Sequence, residues 1–187
     1  MNIDIRALSK NLRKAYLSFF DNIAFDENPD RSKCYCYVYH FLGDVDSCTK
    51  EQSRSDVSEL VNEGKLTGYL VFQGDQPIGW CNVNNRNNYQ RLLRDYDHVD
   101  NPDDKVCSIV CFLIHPDHRR KGIARQILGR IIKDYSATDF DYLEAYPKKS
   151  GHSCEANFKG PLELYTTYDF KIHKEHDSYY VVRKYLR

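Results

Sequence analysis

His115-Pro116-Asp117-His118-Arg119-Arg120-Lys121-Gly122-Ile123-Ala124-Arg125 sets basic side chains and one glycine between two apolar stretches. Ahead of it, Val106–Ile114 reads VCSIVCFLI, as expected of a central strand covered on both faces. Behind it, Ala124, Ile127, Leu128, Ile131, Ile132 and Tyr135 recur at helical spacing. The first turn of a helix leaves backbone N–H groups unpaired, and the aligned peptide dipoles make that end partly positive. An anion over such an end is held by several directed donors. Gly122 lets the backbone come close to it, and Ala124 adds little bulk. Residues 119–133 contain six basic and no acidic side chains, an excess suited to a multiply phosphorylated ligand. The spacing is neither Gly-x-x-x-x-Gly-Lys-Ser/Thr nor Gly-x-Gly-x-x-Gly, so it points away from ATP and dinucleotides. The chemistry predicted here is diphosphate binding at a strand–turn–helix junction.

The elements that must position this junction follow from pattern. Asn2 to Ala7 alternates like a strand, and Leu12, Ala15, Tyr16, Phe19, Phe20 and Ile23 form one helical stripe after Ser9. Residues 34–42 are dense in rings, predicting a short strand or a packed, ring-lined segment. A second helix runs from Ser53 to a Gly64 cap. Tyr69 to Phe72 and Ile78 to Val83 flank Gln73-Gly74-Asp75-Gln76-Pro77, predicting a hairpin with a longer loop. Tyr89, Leu92 and Leu93 suggest a helical turn, Phe140 to Tyr146 a strand, and Pro161 to Tyr168 a short helix with proline in its first turn. Phe170 to Glu175 and Ser178 to Leu186 close the chain as a hairpin. The order is mixed α/β in one unit.

Bulk composition narrows the partners. The 187 residues fit one domain, and 27 basic against 27 acidic side chains leave no net field for nucleic acid or anionic lipid. No apolar run is long enough to span a membrane, and the N-terminus lacks a signal-peptide core. Seven cysteines are an odd count for a disulfide framework, which points to reduced thiols and a cytoplasmic protein. Cys34, Cys36, Cys48 and His40 lack the close pairing of a structural zinc site, so no metal is expected. Cys107 and Cys111 are evenly spaced along one strand and are predicted to share a face.

The junction resembles motif A of the GNAT superfamily of N-acetyltransferases, Arg/Gln-x-x-Gly-x-Gly/Ala, through Arg119, Gly122 and Ala124, with His115-Pro116 ahead of it. The element order is similar over essentially the whole chain. Tyr165-Thr166-Thr167-Tyr168-Asp169-Phe170 is similar to that family's Tyr-x-x-x-Gly-Phe, and Asp169, in place of glycine, is expected to be left-handed. Cys34-Tyr35-Cys36, Gly79-Trp80-Cys81-Asn82-Val83 and Arg86 resemble a poorly characterised subgroup. The resemblance implies an α/β (α+β) fold, with residues 1–187 forming a single N-acetyltransferase domain. Its sheet would be mixed and mainly antiparallel, of about six or seven strands flanked by helices.

The resemblance also implies roles. Acetyl-CoA would be the co-substrate, and a small-molecule amine would accept the acetyl group by direct transfer, with no nucleic acid or membrane partner; a homodimer stays open. The backbone of Phe112, Leu113 and Ile114 would lie along the pantetheine arm, one N–H polarising the carbonyl. Arg119 opens the signature, and the N–H groups of Arg120, Lys121, Gly122, Ile123, Ala124 and Arg125 would hold the pyrophosphate. Tyr165 would protonate the departing thiolate. Ser108 stands where histone-type relatives carry a glutamate base, which leaves Glu144 on the next strand as the best carboxylate for that task. Tyr35, Tyr37, Tyr39 and Trp80 are candidates for an acceptor groove or for core. A catalytically silent acyl-CoA sensor and a protein N-terminal or lysine acetyltransferase are the alternatives.

Overall fold

In the computed structural model, which describes residues 2–44, 47–95, 101, 103–149 and 157–187, seven strands join in one sheet. They are β1 (Asp4–Ala7), β2 (Gly68–Gln73), β3 (Gln76–Asn85), β4 (Val106–Ile114), β5 (Tyr142–Ala145), β6 (Lys171–Glu175) and β7 (Tyr180–Tyr185). The helices are α1 (Arg13–Asn22), α2 (Lys50–Asn62), α3 (Gln90–Asp95), α4 (Ile123–Tyr135) and α5 (Leu162–Thr166). Strand order is β1-β2-β3-β4-β5-β7-β6, and only β4 with β5 is parallel. Parallel neighbours cannot be joined by a tight turn, so the chain crosses over through α4.

The sheet separates two apolar layers. On one face Ile123, Ile127, Leu128 and Ile131 of α4 pack with Leu164, Tyr165 and Phe170 over Cys107, Ile109 and Phe112. Each of those buried α4 side chains contributes roughly 2 kcal/mol of apolar transfer energy. On the other face Tyr16, Phe19 and Phe20 of α1, Val57 and Val61 of α2, and the rings of Tyr35, Tyr37 and Tyr39 cover Trp80 and Val110. The aromatic-rich 34–42 segment is thus a ring-lined packing layer, with one 3-10 turn at Val38–His40 and no strand.

Two bulges change what the period-two pattern predicts. In β4, Ile109 pairs with Val83 and Cys111 pairs with Asn82, so Val110 is an extra residue. Val110 and Cys111 therefore both face the α1 layer, whereas Cys107 faces the α4 layer. The two thiols do not share a face, because one inserted residue reverses the alternation. In the β2–β3 hairpin, Val71 pairs with Gly79 and Phe72 with Pro77, leaving Ile78 extra. That bulge admits the proline and lets Gln73 pair with Gln76, so the connection is a two-residue turn with Gly74 at φ +60°.

The parallel pairing of β4 with β5 runs only from Val106↔Tyr142 to Ile109↔Ala145. Beyond the bulge the two strands part. Past that point Phe112 N–H bonds instead to the carbonyl of Phe158.

Candidate active site

The chain leaves β4 through a one-turn 3-10 helix, Pro116–His118, entered where His115 Nδ1 accepts the Asp117 N–H at 3.1 Å. Arg119 turns its side chain backward. Its Nε donates to the Ile114 carbonyl at 3.0 Å, and its guanidinium pairs with Glu27 at 2.6 Å. Arg119 therefore braces the turn. Arg120 and Gly122 both adopt left-handed backbone, φ +61° and +78°. A Cβ on Gly122 would meet nothing within 4 Å, so the backbone angle and not space calls for glycine there. These reversals line up the amides of residues 120–125. None of them reaches a backbone or side-chain acceptor among the described residues, and Gln126 N–H to Gly122 C=O, 3.1 Å, is the first bond into the helix. Successive donors at a helix start, beside the exposed side chains of Arg120, Lys121 and Arg125, are an arrangement that suits an anion.

At the end of β4, His115 N–H bonds to Ile78 of β3, whereas Phe112 N–H points the other way, to the carbonyl of Phe158 at 2.5 Å. By strand alternation Ile114 directs its amide to the same side as Phe112, and Leu113 bonds toward β3. Of the three amides from which one carbonyl-polarising donor was expected, that of Phe112 already holds a carbonyl supplied by the chain itself. Tyr165 is fully buried on α5, its ring 5.3 Å from Phe170 and its hydroxyl donating to the Lys159 carbonyl at 2.5 Å. Burial, then Cys81 and Cys111, raise its pKa well above the usual phenol range, so the oxygen keeps its proton. Asp169 after α5 is left-handed at φ +62°, as its place in the Tyr-x-x-x-Gly-Phe pattern predicts.

Glu144 has a different task from the one the sequence suggests. It is wholly buried on the α1 face of β5, between Ser108 of β4 and Arg183 of β7. One oxygen accepts from Tyr146 at 2.5 Å; the other accepts from Arg183 Nε at 2.6 Å and lies 3.6 Å from Arg86. Ser108 closes the group through Tyr146 at 2.7 Å. With both oxygens engaged and no solvent contact, Glu144 is the counter-ion of two buried guanidiniums and not an available base.

The cysteine and tryptophan segments converge at the β4 bulge. Asn82 Nδ2 donates to both the carbonyl and the sulfur of Cys36, at 3.2 and 3.3 Å, while its Oδ1 accepts from Tyr89 at 2.6 Å. Tyr35 and Cys36 are consecutive left-handed residues, at φ +41° and +52°. Tyr16 anchors the first by donating to its carbonyl. Burial pushes the Cys36 thiol up, but Cys111, Asn82 and the indole edge of Trp80 outweigh it and bring it below the ordinary value. The Trp80 N–H itself makes no hydrogen bond of good geometry. Tyr35, Tyr37, Tyr39 and Trp80 are all core, and Tyr39 also has Lys159 over its ring. Among the described residues no cluster of three or more His, Cys, Asp or Glu is placed to hold a metal.

Residues 37–159 match the family model for the acetyltransferase (GNAT) family. The chain belongs to that family. Similar solved structures include the N-acetyltransferase PseH of Campylobacter jejuni in complex with acetyl coenzyme A, 20% identical, TM-score 0.56, covering 98% of this chain and 99% of that one. PaiA N-acetyltransferase of Thermoplasma acidophilum in complex with coenzyme A is 12% identical, TM-score 0.56, with 99% of each chain covered. The yncA structure from Salmonella typhimurium with its cofactor acetyl-CoA is 11% identical, TM-score 0.57, covering 99% and 94%. At these identities the likeness is one of fold. No curated protein matches the chain.

Within this GNAT domain, Phe158 and Lys159, whose carbonyls accept from Phe112 and Tyr165, were not singled out in the sequence, and Asn82 was named there only as part of the Gly79–Val83 segment. Asn82 carried a usable signal, a polar residue inside an otherwise apolar strand. Lys159 carried none, since one lysine before Gly160-Pro161 resembles any loop cation.

Proposed function

We propose that this GNAT domain, over its whole length, transfers an acetyl group directly from acetyl-CoA to the amine of a small molecule. The observation that carries the reading is the run of free amides at residues 120–125, which suits the diphosphate of coenzyme A. The ligands of PseH, yncA and PaiA, acetyl-CoA in two cases and coenzyme A in the third, support the same choice.

Acetyl-CoA supplies an activated thioester carbonyl. The chain's contribution is to seat the diphosphate on the amides of Arg120, Lys121, Gly122, Ile123, Ala124 and Arg125, with Phe112, Leu113 and Ile114 flanking the arm. Phe112 N–H polarises the thioester carbonyl once it exchanges the Phe158 carbonyl for it. Tyr165, held protonated by burial, gives its proton to the leaving sulfur.

Calorimetry with coenzyme A and thiol release across a panel of amines test this reading. Wild type should bind coenzyme A and release thiol with an amine. Tyr165→Phe should bind normally and turn over about 10²-fold more slowly, the scale of general-acid catalysis. No uptake of coenzyme A would end the proposal, binding without release would make the domain a silent acyl-CoA sensor, and release with peptides alone would make it a protein acetyltransferase.

A further inference from the structure

Cys34-Tyr35-Cys36 and Gly79-Trp80-Cys81-Asn82-Val83 have no role in acetyl transfer as read above, yet together they build a seat for one sulfur. Asn82 donates to Cys36 Sγ at 3.3 Å, and its amide cannot flip away because its Oδ1 is taken by Tyr89. Trp80 lies on the same face of β3, and its fully buried N–H, without a good hydrogen bond, is turned toward that sulfur. Cys111 is the cross-strand partner of Asn82, which sets its thiol beside Cys36 on the α1 side of the sheet.

The backbone is bent to hold Cys36 there. Tyr35 and Cys36 are consecutive left-handed residues without being glycine, each costing on the order of 1–3 kcal/mol. Tyr16 holds the carbonyl of the first and Asn82 that of the second. Donors around a sulfur favour its thiolate, and here they outweigh burial and bring Cys36 below the ordinary thiol value. Its donation to Cys36, and then burial, raise Cys111. Cys81 and Cys107, in the α4 layer, are raised by burial, and burial pushes Cys34 up to about 12. One sulfur of the pair is thus set as a nucleophile, and its neighbour stays a thiol.

We propose that Cys36 and Cys111 form a dithiol oxidised by hydrogen peroxide, Cys36 being the sulfur attacked and Cys111 the one that resolves it into a disulfide. The reaction involves no acetyl-CoA and stands or falls independently of the transfer reading.

The Cys36 thiolate bonds to one peroxide oxygen as the O–O bond breaks, and the other oxygen leaves as hydroxide and takes a proton from solvent. The sulfenic oxygen supplies the acceptor that the Trp80 N–H lacks. Cys111 sulfur then bonds to Cys36 sulfur, the S–O bond breaks, and the hydroxyl departs as water with the Cys111 proton. The two thiols lose two electrons, and the peroxide that gains them becomes two waters. Cys36 is 2% exposed and Cys111 7%. Such burial shuts out bulky reagents and selects an oxidant that is small and uncharged.

The test treats the reduced full-length protein with hydrogen peroxide and maps its peptides without reductant. A Cys36–Cys111 link, reversed by dithiothreitol, should form before Cys81 or Cys107 reacts. Cys111→Ser should stop at a sulfenic acid on Cys36, captured by dimedone on unfolding. Asn82→Ala removes one hydrogen bond to the thiolate, about 1–2 pKa units of stabilisation. Link formation should then slow roughly three- to tenfold, since the more basic thiolate regains part of the rate as nucleophilicity. Cys107→Ser should leave the rate unchanged. Absence of the Cys36–Cys111 link, a Cys34–Cys36 link in its place, or oxidation of Cys107 as fast as Cys36 overturns the proposal. Should Asn82→Ala fail to fold, the order in which Cys36, Cys81 and Cys107 react in the wild type decides.

Discussion

Glu144→Gln removes a charge that two buried arginines share. Arg86 is 2% exposed and has Glu144, at 3.6 Å, as its recorded ion-pair partner. Arg183 retains Asp104 at 3.4 Å, so the loss falls mainly on Arg86. Breaking one side of a buried pair and leaving the other charged costs about 3–5 kcal/mol. For a domain of this length each kcal/mol lowers the melting temperature by about 2–4 °C, so Glu144→Gln should melt roughly 6–20 °C lower. Thermal unfolding followed by circular dichroism, with urea midpoints as a second probe, reads this directly. Glu144→Leu combined with Arg86→Met should recover most of the loss, because the apolar pair leaves no charge uncompensated. Acetyl transfer below the transition should change less than tenfold. An unchanged melting temperature with turnover down about 10²-fold would sink the structural reading and restore Glu144 as a base.

Other expectations test the anion seat and the ring-lined layer. Gly122→Val forces a β-branched residue to φ +78°, which should cost about 1–2 kcal/mol in stability and weaken coenzyme A binding in calorimetry by at least about tenfold, since one or two charge-assisted amide contacts are lost. Burial lowers the His40 pKa from 6.5 to about 4, with a smaller opposing contact from the Asn88 backbone. Its folded value is the depressed one, so the unfolded chain takes up a proton first as pH falls. Stability should therefore be full above about pH 6.5 and decline toward pH 4 by up to about 3 kcal/mol from this group, and His40→Asn should flatten that slope in a series of melts.

Most of the fold is legible in local pattern. The apolar run Val106–Ile114 is β4 with the same bounds, and the 3.6-residue stripe beginning at Ala124 is α4 starting at Ile123. Periodicity reports burial, and burial is what forms these elements. Pattern fails where one residue is inserted. Nothing in VCSIVCFLI marks Val110 as extra, because every residue there is apolar and suits either face; only pairing with β3 reveals the bulge. The same limit makes the hairpin loop look long when its turn has two residues.

The sequence alone determined the turn into α4, since a glycine between a buried strand and an amphipathic helix is placed to take the left-handed conformation that starts the helix. Conformation there is local, set by peptide geometry and by Gly122. What Glu144 touches was decided by the tertiary structure. A buried carboxylate is a base or a counter-ion according to which groups the fold brings within a few ångströms. Arg86 and Arg183 come from distant parts of the chain, and no local spacing encodes their meeting at Glu144.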